Sequence, residues 1–196
     1  YSGCFWSQNW SNLAKTLLDD PTVEWILSFD YDTVFEPQDV IDLYRLTQVY
    51  TGVDAVAGVQ SKRGADSYPL FNLAVTKGKR TVEVSESVFY GNMTRIITAH
   101  FGFTLLRADA LREMPRPWMN AQPNAKGDWD EGHTDADMAF WQNWEKAGHS
   151  LWLANKVRVG HIEEVVKWPG RKFEPVFQSM KDFYDKGKPL GVNRCG

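Results

Sequence analysis

Glu24-Trp25-Ile26-Leu27-Ser28-Phe29-Asp30-Tyr31-Asp32-Thr33-Val34-Phe35-Glu36-Pro37 is the stretch that decides the fold. Residues 25–29 are a short apolar run of the length of a buried strand, bounded at its C-terminal end by two acids. Pro37 has the fixed φ and missing N–H that suit the first position of a helix, which is expected to run to about Tyr50. Ahead of the strand, Trp10, Leu13, Ala14, Leu17 and Leu18 recur at i, i+3, i+4, i+7 and i+8. That is the stripe of an amphipathic helix, stopped by Asp19-Asp20-Pro21. Behind it, Ala55-Val56-Ala57-Gly58-Val59 reads as a second buried strand. Helix, strand, helix, strand in this order predicts an α/β sheet with parallel neighbours, flanked by helices.

Further along, Leu70–Val75 and Thr81–Val84 flank the turn Lys77-Gly78-Lys79, a hairpin pattern. Val88–Tyr90 and Ile96–Leu106 add strand-like sequence, so a mixed sheet is expected. Pro115–Gly132, rich in Pro, Asn, Gly and Asp, reads as a mobile loop. A helix returns from Thr134 to Ala147, with Ala136, Phe140, Trp144 and Ala147 on one stripe and Gly148 as its stop. Leu151–Val159 is again strand-like and leads into Gly160-His161. The segment from 170 to 196 is polar and aromatic and reads as a surface-wrapping tail. No repeat or linker divides the 196 residues, so one domain is expected.

The net charge of −3 provides no basic footprint for nucleic acid. No apolar run approaches the roughly 20 residues of a membrane helix, and Tyr1-Ser2-Gly3-Cys4 does not resemble a signal peptide. Cys4 and Cys195 can pair only if the termini meet, and two cysteines do not fix the compartment; the cytoplasm is the expectation. The chain holds 9 Trp, 7 Tyr and 11 Phe. Most such rings fill a core, and exposed ones serve as platforms for sugars.

Three constellations can carry chemistry. Asp30 and Asp32 are two apart, and on an extended backbone both carboxylates point to one side. They stand beyond the carboxyl end of a strand, where open α/β sheets gather ligands, and hard divalent cations take such oxygens. A solvated turn is the simpler account. His161, after a strand, offers a ring nitrogen suited to a Mn²⁺-like ion beside carboxylates, or a plain structural hydrogen bond. Thr134-Asp135-Ala136-Asp137 reads as a capping box, or as the source of a general base.

The order of these pieces resembles the core of GT-A glycosyltransferases, family-two-like ones most closely. There a buried strand ends in an Asp-x-Asp motif, like residues 24–37 here. Ala99-His100-Phe101-Gly102-Phe103-Thr104-Leu105-Leu106-Arg107-Ala108-Asp109-Ala110-Leu111 is similar to the glycine-containing strand that follows. Asp137-Met138-Ala139-Phe140-Trp141 is similar to the acidic helix start, and Ala147-Gly148-His149 through Val159-Gly160-His161-Ile162 to the closing histidine segment. The likeness spans about residues 9–163. It implies a GT-A-like fold and transfer of a sugar from a nucleoside-diphosphate sugar to an acceptor hydroxyl, with Mn²⁺ or Mg²⁺. Asp32 and His161 would bind the metal, with Asp30 supporting it or contacting the ribose. Asp137 would be the base of an inverting transfer. Ala136 stands where the family has Glu, which leaves Asp135 as the neighbouring acid. His100, Trp118, Trp129 and His133 would line the acceptor side.

A nucleotidyltransferase and an inert nucleotide- or carbohydrate-binding domain are the rival readings. Residues 1–6 are too short for the strand, crossover helix and strand with which the fold usually begins, about 30 residues together. A front that is missing or shortened would leave a sheet edge, to be covered by Phe5-Trp6, by the tail, or by self-association.

Overall fold

A computed structural model describes residues 5–61, 71–73, 90–170, 172 and 174–189. The early elements fall where local sequence puts them. Helix α1 spans Trp6–Leu18, strand β1 Trp25–Phe29, helix α2 Pro37–Val49 and strand β3 Ala55–Val59, with the two-residue strand β2, Thr33–Val34, between β1 and α2. Pro37 occupies the first turn of α2 as its fixed φ requires. Then come β4 (Phe71–Leu73), β5 (Met93–Ala99), β6 (Phe103–Arg107), α3 (Ala108–Glu113), α4 (Ala136–Lys146), β7 (Leu151–Arg158) and β8 (Gly160–His161). The chain closes with β9 (Val165–Pro169), β10 (Pro175–Ser179) and α5 (Met180–Lys186).

Six strands form one mixed sheet in the order β1-β6-β3-β7-β5-β4. Among the described residues only β3 and β7 pair in parallel; the other neighbours are antiparallel. The expectation of parallel neighbours therefore needs correction. β1 and β3 run the same way, but β6 lies between them, antiparallel to both. A hydrophobic run carries no information on which strand will pair with it, and β6 is supplied from far along the chain. The segment read as one strand-like stretch to Leu106 is two strands, β5 and β6, separated at His100–Gly102.

Alternation sends each strand's side chains to two cores. On one face Ile26, Ala55, Ala57 and Leu106 meet Ala14 and Leu18 of α1, Leu111 of α3, and Phe140, Trp141 and Trp144 of α4. On the other, Val56, Phe103, Leu105 and Val157 meet Leu43 of α2, with Trp25 and Leu27 packed against them. The sheet is thus covered on both faces, which explains why β3 reads as a continuous apolar run.

The helix stripes differ from their reading in two places. In α1, Leu13 and Leu17 remain 48% and 44% exposed while Ala14 and Leu18 are buried. In α4 Phe140 and Trp144 of the expected stripe are buried, but Ala139 and Trp141 join them in place of Ala136 and Ala147. Its end is as expected: Gly148 takes φ 84°, which a side chain would disfavour. Beyond residue 170, where a surface-wrapping tail is expected, the described residues hold a strand and a helix with no buried residue in the helix. β10 pairs antiparallel with β9, and α5 packs Phe183 on Trp168 at 5.7 Å. Cys4, Cys195 and the hairpin at Lys77-Gly78-Lys79 lie outside the described residues. Among the described residues no helix is long and apolar enough to cross a membrane.

Candidate functional site

β1 does not continue as an extended strand through its acids. The chain turns, with Thr33 N–H donating to Asp30 O at 3.1 Å, and Asp30 N–H donating to Gly102 O at 3.3 Å. The expected i, i+2 geometry of an extended backbone is therefore replaced by a turn, which leaves Asp30 half-buried and buries Asp32. β2 then pairs antiparallel with β8, setting Thr33 opposite His161 and Val34 opposite Gly160. Ile162 N–H donates to Asp32 O at 2.8 Å. This short ladder brings two distant parts of the chain together.

Across it, His161 Nε2 lies 3.5 Å from Asp32 Oδ2, and the two side chains are only 14% and 7% exposed. His161 Nδ1 is 2.9 Å from the carbonyl oxygen of Ser61. A carbonyl only accepts, so Nδ1 is the nitrogen that donates there, and Nε2 is the one left to face Asp32 and, in the metal-ligating tautomer, a cation between them. A metal-ligating histidine is held in this way. Two ligand atoms each about 2.1 Å from one cation stand roughly 3–3.5 Å apart at ordinary ligand angles, so the pair fits a shared divalent ion. Among the described residues no group of three His, Cys, Asp or Glu closes a complete cage. Two protein ligands with the rest left to water and phosphate oxygens is the usual pattern for Mg²⁺-like ions.

These residues open onto a cavity of about 490 Å³, also lined by Asp30, Tyr31, Gln60, His100, Asp135 and Asp137. Trp6 and Phe101 give it an aromatic wall, their rings edge to face at 5.3 Å. The helix α4 starts at Ala136, so its N-cap is Asp135 and not Thr134, and Asp135 makes no side-chain cap bond. Asp135 Oδ1 instead lies 2.8 Å from His133 Nε2. The capping-box reading is thereby replaced. Asp137 sits in the first helical turn, where the dipole favours a carboxylate. Burial outweighs this and raises its pKa, against the hydrogen bond its Oδ1 accepts from Met138 N–H at 2.8 Å.

His100 is buried beneath the cavity, its Nε2 3.2 Å from Gly58 O. Burial holds its pKa down to about 4. The unfolded chain keeps the ordinary value of 6.5, so it takes up a proton first, and stability is lost as pH falls from 6.5 to 4. That difference corresponds to on the order of 3 kcal/mol. Urea unfolding at pH 7 and pH 4 should show this loss in the parent protein and a smaller one in His100→Gln. Equal losses would remove His100 as the cause.

Gly102 closes this corner. A Cβ there would stand 2.7 Å from His100 Nδ1 and 2.5 Å from Gln60 Oε1, so no larger residue fits without displacing both. Gln60 has no motif around it, and nothing in its sequence context marks it as part of the site. The other expected acceptor-side residues are not on the cavity wall. Trp118 is 3% exposed, in the core against Trp10 at 6.2 Å, because its indole N–H finds Met114 O there. Trp129 stands 62% exposed beside His133. His133 is held in the loop by Asp130 O and Asp135, which raise its pKa. Their positions reflect loop contacts that composition cannot reveal.

No family model and no curated protein matches the sequence. Among solved structures the chain is similar to A197 from STIV, with a TM-score of 0.56 and 13% identity over 90% of this chain and 78% of that one. At this identity the likeness is one of fold: a mixed sheet flanked by helices is the architecture the two chains share.

Proposed function

We propose that this chain is a divalent-metal-dependent glycosyltransferase that moves a sugar from a nucleoside-diphosphate donor to an acceptor hydroxyl. The observation that carries the reading is the Asp32–His161 pair, 3.5 Å apart, with the histidine oriented by Ser61 O. Asp32 and His161 would hold Mn²⁺ or Mg²⁺, and Asp30, on the same cavity, would support it or take the ribose. When bound, such an ion neutralises charge on a diphosphate leaving group. Asp137 accepts the proton of the acceptor hydroxyl as its oxygen bonds to the anomeric carbon and the bond to the diphosphate breaks. Burial keeps this carboxyl more basic than an ordinary aspartate, which suits the task. Trp6 and Phe101 provide an apolar wall against which a sugar ring can lie.

The test is thermal unfolding with Mn²⁺ and UDP, GDP or CDP. At a hundred times its Kd, a ligand stabilises by about 2.7 kcal/mol. The parent protein should gain that stabilisation with at least one nucleotide, only when Mn²⁺ is present. Asp32→Ala and His161→Ala should lose it. A gain retained in both variants would overturn the metal assignment.

A further inference from the structure

Gln60 follows β3 and is 2% exposed, so its amide has been taken out of water and needs partners. Its Nε2 finds two. One N–H donates to Thr33 Oγ1 at 3.1 Å and the other to Gly160 O at 3.2 Å. Thr33 is the residue after Asp32, and Gly160 is the residue before His161. The Thr33 hydroxyl in turn donates to Gly102 O at 2.8 Å. One amide therefore spans both halves of the Asp32–His161 pair and ties them to the turn under the cavity.

The orientation of that amide is determined by its neighbours. Turned over, its oxygen would face the Gly160 carbonyl, acceptor against acceptor. Its Oε1 lies over Gly102, where a Cβ would approach it to 2.5 Å, so the missing side chain leaves the amide its place. The backbone ladder between β2 and β8 is only two residue pairs long. A two-stranded ladder of this length is marginal by itself, so the register of the pair needs a further tie.

We infer that Gln60 is a positioning residue for the cation site: its buried amide, through Thr33 and Gly160, fixes the distance at which Asp32 and His161 face each other. The inference rests on the metal reading given above. A side chain that merely fills space would affect stability alone. One that sets ligand spacing affects cation affinity, and partners of this kind are typically worth 10- to 100-fold.

Mn²⁺ alone is the probe, titrated into the intact protein and followed by the electron paramagnetic resonance of the free ion, with thermal unfolding in parallel. Gln60→Met keeps the length and uncharged character of the side chain but removes both donors. Thr33→Val removes the hydroxyl relay, and Thr33→Ser keeps it. Gln60→Met and Thr33→Val should fold and bind Mn²⁺ roughly 10- to 100-fold more weakly, with Thr33→Ser close to the parent protein. Parent-like affinity in Gln60→Met, alongside lost affinity in Asp32→Ala, overturns the inference and leaves the metal reading standing. If Gln60→Met does not fold, the two Thr33 variants decide, and equal affinities overturn it. A parent protein that takes up no Mn²⁺ removes the metal reading, and this inference with it.

Discussion

Asp137→Asn is expected to leave donor binding nearly intact and to lower turnover roughly 10²- to 10⁴-fold, the range for loss of a general base. Asn has the same shape and cannot accept the proton. The stability of this variant separates catalysis from capping. A capping aspartate would cost about 1 kcal/mol when replaced. Asp137 is different, because burial raises its pKa above the ordinary 3.8. The unfolded chain then ionises first, so the carboxylate costs the folded protein stability above the raised pKa and nothing below 3.8. Asp137→Asn should therefore be at least as stable as the parent at pH 7, with its advantage appearing as pH climbs through that window. Turnover of the parent should rise over the same window as the carboxyl loses its proton. Asp135→Asn is the control: Asp135 is largely exposed and engaged with His133, and its loss should leave turnover mostly unchanged. Full turnover in Asp137→Asn, together with a stability loss near 1 kcal/mol, would return the residue to a capping role.

Trp141→Ala should have the largest effect on stability. The side chain is 1% exposed, stacked on Phe101 at 5.3 Å and edge-on to Phe140 at 4.9 Å and Trp144 at 6.0 Å. Its indole N–H donates to Ala99 O, beside His100. Truncating a buried Trp costs about 3–5 kcal/mol, since the rings around it cannot collapse into the space. At this chain length that lowers Tm by roughly 6–20 °C. Trp141→Phe keeps most of the ring contacts and loses only the bond to Ala99 O, so it should fall between. Because Phe101 and His100 border the cavity, Trp141→Ala should also loosen the site. A Tm within about 2 °C of the parent would mean that this aromatic cluster tolerates repacking, contrary to its close-packed geometry.

Much of the scaffold follows from local sequence alone. The apolar run at 25–29 becomes β1, the run at 55–59 becomes β3, Pro37 begins α2 and Gly148 ends α4. Each depends on a property of a few adjacent residues: an apolar run of strand length, a locked φ, a tolerated positive φ. The placement of acids at the end of β1 belongs to the same class. Periodicity also located α1, but it could not tell that Leu13 and Leu17 stay exposed, because a stripe specifies an apolar side and not what covers it.

The site itself is a product of long-range pairing. Asp32 reaches His161 only because Thr33 pairs with His161 in the β2–β8 ladder, and the turn at Asp30 replaces the extended geometry a strand would impose. Gln60 acquires its place from partners on two other segments. Trp118, equally aromatic in sequence to any sugar platform, is drawn into the core by Trp10 and Met114. The raised pKa of Asp137 has the same origin, for desolvation is set by whatever folds over a carboxyl. The elements and the positions of their acids follow from residues adjacent in the chain. Which residues face one another does not, since distance, burial and hydrogen-bond partners are properties of segments brought together from far along the chain.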